Sequence, residues 1–247
     1  MERSNMKLKV IGCGDAFGSG GRLNTCFYVN ADPVRFLIDC GASSLPGLKK
    51  YGIHTQDIDA IVISHFHGDH YGGVPFVLLD AAVNGRSKKM QIISPAGGKQ
   101  RIAALLNLLY PGTEVLEKLD LEFLEFRRDD LMDLGEWRLQ AFDVLHTDKA
   151  LPHGLRIQVS GKVIAYSGDT SWTDALFPLS ENADLFICEC NFFYTQVKGH
   201  MSYVELEKRL PEFSCKRMLL THFDQEMLYR LDEVKVESLT EGMELLI

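Results

Sequence analysis

Residues 60–70 read Ala60-Ile61-Val62-Ile63-Ser64-His65-Phe66-His67-Gly68-Asp69-His70, a run of apolar residues passing directly into four potential metal ligands. Ala60 to Ile63, rich in β-branched side chains, suit a strand buried on both faces. His65 begins where that strand ends, Gly68 permits a tight turn, and Tyr71-Gly72-Gly73-Val74 opens a helix. A loop between a strand end and a helix start can turn neighbouring side chains toward one point, which neither regular element can do alone. His65 and His67 are spaced to chelate one ion, and Asp69 and His70 to turn toward a second beside it. Imidazole and carboxylate donors suit Zn²⁺ best, with Mn²⁺ or Fe²⁺ as alternatives. A polar loop with incidental histidines is the bland reading. Four ligand-type residues among six, directly behind a buried strand, argue against it.

A two-metal site needs further ligands, and other strand ends should supply them. His146 follows the apolar run Leu139–Leu145. Asp169 stands in Ser167-Gly168-Asp169-Thr170, directly after Val163–Tyr166. His222 stands in Thr221-His222-Phe223, directly after Met218-Leu219-Leu220. Polar residues at the ends of buried strands gather at one sheet edge, where α/β sites form.

The rest of the chain repeats this grammar. Short apolar, β-branched runs bounded by Gly, Pro, Asn, Asp or Ser predict strands at 8–11, 26–29, 34–38, 60–63, 91–93, 121–126, 137–144, 155–159, 163–166, 185–188 and 217–220. Helical spacing predicts helices at Gly73–Val83, Gly98–Leu109 and Tyr203–Leu210, the last with Ser202 as N-cap and Glu205 three residues on. The charged segment Thr113–Arg128 reads equally as an edge strand or a surface helix. No repeat, linker or composition break divides the sequence. One α/β domain over residues 1–247 is expected, with two sheets covered by helices.

With 46% apolar and 24% charged residues, the 247-residue chain can bury a sizeable core. A net charge of −8 argues against broad binding to nucleic acid or anionic membranes. It does not exclude an anionic substrate, because bound cations invert the local field. No signal-peptide pattern opens the sequence and no stretch approaches a membrane span. The six cysteines contain no Cys-x-x-Cys pair, so reduced thiols and a cytoplasmic location are expected. Cys188 and Cys190, two apart in a strand, read as packing residues.

The ordered set His-x-His-x-Asp-His, isolated His, Gly-Asp-Thr and Thr-His, spanning residues 65–222, resembles the metallo-β-lactamase superfamily. The glycine-rich opening Ile11–Asn24 is similar to that family's first hairpin. The resemblance implies a four-layer αββα sandwich with the site along the edges of its two sheets. It also implies two divalent ions: His65, His67 and His146 on the first, Asp69, His70 and His222 on the second, and Asp169 bridging. Such a pair shares a bridging hydroxide that acts as nucleophile at neutral pH. Asp69 would also orient or deprotonate the attacking water.

Glu189, ending Leu185–Cys188, and His200, in Gly199-His200-Met201-Ser202, lie between the last two motifs. This arrangement is similar to the ribonuclease Z-like phosphodiesterase branch. The resemblance implies His200 as general acid or phosphate ligand and Glu189 as the residue that orients and charges it. Ser202 would add a hydrogen bond or cap the next helix. Arg22, Asn24 and Thr25 either approach the site or form an ordinary hairpin turn. His153 is a weaker candidate for substrate contact, and His54 reads as solvated.

One departure narrows the substrate. Ribonuclease Z carries a tRNA-gripping arm before the Gly-Asp-Thr strand, whereas only Ser160-Gly161-Lys162 separates the two runs here. A small phosphodiester, such as a cyclic nucleotide or cyclic ribose phosphate, is therefore expected rather than extended nucleic acid. The alternatives are a carbonyl hydrolase of the same fold, acting on a lactone, thioester or β-lactam, and a ribonuclease Z-like nuclease. A homodimer is common in this branch.

Overall fold

The computed structural model describes residues 6–128 and 130–247. Its strands are β1 Lys7–Gly12, β2 Cys26–Ala31, β3 Val34–Ile38, β4 Ala60–Val62, β5 Met90–Pro95, β6 Leu121–Phe126 and β7 Leu131–Asp133. They continue with β8 Trp137–Asp143, β9 His153–Val159, β10 Lys162–Tyr166, β11 Leu185–Glu189, β12 Met218–Thr221, β13 Glu237–Ser238 and β14 Glu244–Leu246. Among the described residues they form two seven-stranded sheets, in the orders β14-β1-β2-β3-β4-β5-β6 and β13-β12-β11-β10-β9-β8-β7.

Successive side chains of a strand point to opposite faces, so a strand buried on both faces, such as β4, is apolar along its length. In β3, Phe36 and Ile38 face the second sheet while Leu37 faces outward, and in β4 Ala60 and Val62 face inward while Ile61 faces outward. The inner faces meet in one core. Phe36 stacks on Trp137 at 4.9 Å and Phe27 meets Tyr166 edge-on at 5.6 Å, each pair joining the two sheets. The outer face of the first sheet packs on helices that include Val74–Val83 and Gly98–Leu109. That of the second packs on Leu176–Ser180, Tyr203–Glu207 and Gln225–Leu228. The result is the expected four-layer αββα sandwich of the metallo-β-lactamase type. Cys188 and Cys190 both pack in the outer apolar layer of the second sheet. No helix among the described residues is long and apolar enough to cross a membrane.

Segment 113–128 holds a short helix, Val115–Lys118, before β6, which is an edge strand. The helix expected over Tyr203–Leu210 stops at Glu207, and a 3-10 turn follows at Leu210–Glu212. Strands β3, β4 and β5 run parallel in the first sheet, as do β10, β11 and β12 in the second. Their carboxyl ends therefore lie at one edge of each sheet. Strands β9 and β10 close on each other with Val159 paired to Lys162. Ser160 and Gly161 take positive φ there (51° and 75°), as a two-residue hairpin requires.

Candidate metal centre

Six strand ends deliver the polar residues. β3 leads into Asp39, β4 into Ser64 and His65, β8 into His146, and β10 into Asp169. β11 ends on Glu189 and β12 leads into His222. His67 is the N-cap of the four-residue helix Gly68–Tyr71, which carries Asp69 and His70.

The side chains converge in two groups that share Asp169. One ligand atom each from His65, His67, His146 and Asp169, and likewise one each from Asp69, His70, Asp169 and His222, lie within 4.8 Å of one another. In the first group His146 Nε2 is 2.9 Å from His67 Nδ1, and His65 Nε2 is 3.9 Å from Asp169 Oδ2. In the second, Asp69 Oδ2 lies 3.2 Å from His70 Nε2 and 3.1 Å from His222 Nε2. Asp169 lies 3.3 Å from His70 Nε2 and 3.4 Å from His222 Nε2.

The electrostatics of the groups differ. Burial pushes His65 and His67 below the ordinary imidazole value and His146 down to about 4, so the first group offers neutral imidazoles. In the second, burial also works to discharge His222, but Asp169 and Asp69 outweigh it and hold His222 up at about 9. Burial opposes ionisation of Asp69 and Asp169 too; the facing His70 and His222 nevertheless keep both well below the usual carboxylate range. His65 Nε2, His70 Nε2 and Asp169 Oδ1 are buried with no hydrogen-bond partner. Orphaned polar atoms are costly in a native interior. Nitrogen and carboxylate donors converging with unsatisfied lone pairs are the arrangement a divalent cation completes, so the residues fit a metal.

A second tier of hydrogen bonds sets the ring orientations. Asp39 is fully buried; its Oδ2 lies 2.7 Å from His70 Nδ1 and accepts from Ser64 Oγ at 2.7 Å. Ser64, its proton committed to Asp39, accepts from His65 Nδ1 at 3.0 Å. Both histidines thereby present Nε2 to the centre. His146 Nδ1 donates to the Gly199 carbonyl at 2.7 Å, and the Asn191 side-chain amide lies 2.9 Å from His222 Nδ1. Asp39, Ser64, Asn191 and Gly199 were not expected from the sequence. Asp39 carried a usable signal, since it follows the buried run Val34–Ile38 just as Asp169 follows Val163–Tyr166.

Glu189 and His200 meet beside the clusters. Glu189 is fully buried, and its two oxygens accept from His200 Nδ1 at 2.6 Å and from the Met201 amide at 2.8 Å. The His200 ring lies 4.9 Å from that of His146 and stacks at 5.9 Å on that of His222. Burial works to discharge His200, but the hydrogen bond and charge of Glu189 prevail and raise its pKa. Glu189, His200 and His222 also come within metal-ligating reach of one another. With both Glu189 oxygens already bonded, that trio reads as a proton-holding pair next to a ligand.

Other candidates lie elsewhere. His153 starts β9, with Nδ1 donating to the Leu151 carbonyl at 2.8 Å and its ring against Phe126. The Arg22 guanidinium donates to the Leu239 carbonyl at 3.0 Å and covers the Phe223 ring, so it braces the chain behind the site. Asn24 bonds to the Asp15 carbonyl and Ser43, and Thr25 is buried. These positions favour the hairpin-turn reading. His54 is exposed. Ser202 holds the N-cap position without a side-chain cap bond, because its hydroxyl finds no partner at all.

A His/Asp cluster on the shared edge of an αββα sandwich defines a metal-binding hydrolase of the metallo-β-lactamase fold. Within that class, a family model described as the anti-Pycsar protein Apyc1 matches residues 6–243, and the chain belongs to this family. The probable metallo-hydrolase YhfI of Bacillus subtilis is 27% identical over 221 residues, covering 88% of this chain and 86% of YhfI. The crystal structure of YhfI superimposes with a TM-score of 0.79 at 24% identity, over 98% of this chain and 99% of that one. The ribonuclease Z of Clostridium acetobutylicum is 23% identical, covering 87% and 86% of the two chains. A diphosphatase from the PhnP family shares the fold with a TM-score of 0.78 at 17% identity, over 98% of each chain.

Proposed function

We propose that this protein is a binuclear metal-dependent phosphodiesterase acting on a small or nucleotide-like phosphodiester, such as a cyclic nucleotide. His65, His67, His146 and Asp169 would hold one ion and Asp69, His70, Asp169 and His222 the other, with Zn²⁺ the metal their chemistry suits best. When bound, the two ions lower the pKa of water toward neutrality and polarise the phosphoryl oxygens. Asp69 orients the attacking water through its carboxylate. His200 keeps Nδ1 on Glu189 and presents Nε2–H to the leaving oxygen as general acid. Glu189 holds the ring in that orientation and favours its protonated form.

The observation that carries this reading is the 2.6 Å Glu189–His200 pair beside the ligand cluster. An alkoxide leaving group needs a proton donor, and the pair supplies one. The relatives named as a ribonuclease and a diphosphatase support phosphate chemistry over lactone or thioester opening. The family description supports an anti-Pycsar role for the hydrolysis.

The test uses leaving-group chemistry. His200→Ala is expected to retain two metals per chain by elemental analysis. Its kcat/KM should fall by about 100-fold or more on a 3′,5′-cyclic nucleotide, whose leaving group is an alkoxide. The fall should be much smaller on bis(p-nitrophenyl) phosphate, whose phenolate leaves without help. Equal falls on both substrates, or loss of metal, would contradict the assigned role.

A further inference from the structure

Beside His200 lies a cavity of about 220 Å³ whose border includes Ser171, Gln196, Lys198, His200, Ser202 and Glu205. Apart from His200, none of these residues takes part in the hydrolytic scheme above. Ser202 is only 1% exposed, and its hydroxyl has no hydrogen-bond partner. A buried hydroxyl left unpaired costs stability, which points to a ligand that completes it. Ser171 Oγ accepts from the Gly199 amide at 2.6 Å, leaving its own proton to donate. Glu205 is half-buried and makes no ion pair among the described residues.

These walls discriminate among possible occupants. An unpaired carboxylate opposes a second phosphate, so a diphosphate tail fits poorly. Among the bordering residues Val197 is the one aliphatic side chain, too little surface to hold an alkyl chain but enough to meet the face of a flat ring. Hydroxyl, amide and ammonium donors bordering the same cavity as a carboxylate acceptor match a neutral heterocycle whose edge carries both N–H and C=O groups. The volume lies below the roughly 300–1,000 Å³ of pockets that enclose a drug-sized ligand, so it accommodates one ring system and not a whole nucleotide. With His200 giving its proton to the leaving oxygen, the group attached to that oxygen lies next to this cavity.

We infer that the cavity is a leaving-group subsite that receives a nucleobase, with Glu205 accepting N–H hydrogen bonds from the base edge. The inference rests on the phosphodiesterase reading above. Glu205 is thereby a specificity residue, and Gln196 and Ser202 complete the base contacts.

The experiment compares kcat/KM for the four 3′,5′-cyclic nucleotides with that for bis(p-nitrophenyl) phosphate, which has no such edge, in the metal-loaded wild type, Glu205→Gln and Gln196→Ala. Losing a hydrogen bond to a charged group should shift the ratio of the two kcat/KM values about tenfold against the nucleotides. The shift should appear mainly in KM, and the preference order among bases should change. A parallel fall on both substrates, or no shift in the ratio, overturns the subsite. Turnover of a lactone with none of either phosphodiester would instead overturn the phosphodiesterase reading. Calorimetric binding of nucleoside 5′-monophosphates then decides the subsite: weaker binding to Glu205→Gln supports it and equal binding refutes it.

Discussion

At the scale of single residues, Asp39 ties the two halves of the ligand cluster together. One buried carboxylate holds His70 directly and His65 through Ser64. It does so from a left-handed backbone conformation (φ 57°), as does His222 (φ 67°). Non-glycine residues pay roughly 1–3 kcal/mol for such conformations, so their presence at two positions of one cluster marks a geometry imposed by the site. Asp39→Asn keeps the shape but replaces one accepting oxygen with a donor, which leaves either the Ser64 amide or both the Ser64 hydroxyl and His70 without an acceptor. Metal affinity is expected to fall about 10- to 100-fold while the fold is retained. Competition against a chromophoric chelator, with circular dichroism as the control, measures this. Unchanged affinity would show that the ligands orient themselves without Asp39.

At the scale of elements, the loop that delivers His200 also fixes His146. Gly199 has φ 94°, and a Cβ built on it would lie 2.7 Å from His146 Nδ1, the atom its own carbonyl accepts from. Gly199→Ala therefore strains the backbone and pushes a metal ligand and the neighbouring acid together. A displacement of about 1 Å at a reacting centre can cost on the order of 100-fold, and a loss of that size in kcat/KM is expected. Wild-type activity in the variant would mean that the loop is not held as described.

The loop also shows what a linear sequence can and cannot reveal. Strands β4 and β11 were legible because both of their faces are buried, and their apolar runs stop at a polar residue, whereas β8 was legible from its alternation of buried and exposed side chains. Edge strands β7, β13 and β14 are two or three residues long with mostly exposed or half-buried side chains, so they carry no such run. The clustering of His65, His67, Asp69, His70, His146, Asp169 and His222 was legible from order and residue type. Asn191 and Gly199 were not, since an amide and a backbone carbonyl act through tertiary placement alone. Arg22 read equally as a substrate contact or a turn residue, because its sequence neighbours do not show that Leu239, 217 positions away, takes its charge.

At the scale of the whole molecule, shape and charge together support the small substrate we propose. The β9–β10 connection is a two-residue hairpin, leaving no arm at that point to hold an extended RNA. A net charge of −8 argues against broad binding to a polyanion, yet the centre itself would turn electropositive once divalent ions are bound. That combination favours a compact anion over a polymer. The most direct measurement is a comparison of kcat/KM for the zinc- or manganese-loaded protein on 3′,5′-cyclic nucleotides, a 3′-extended tRNA, a homoserine lactone and a thioester. The cyclic nucleotides are expected to be hydrolysed at least about 100-fold more efficiently than the other three, with activity abolished by chelation and restored by metal. Turnover of the lactone or thioester without the cyclic nucleotides, or chelator-resistant hydrolysis, would contradict the assignment.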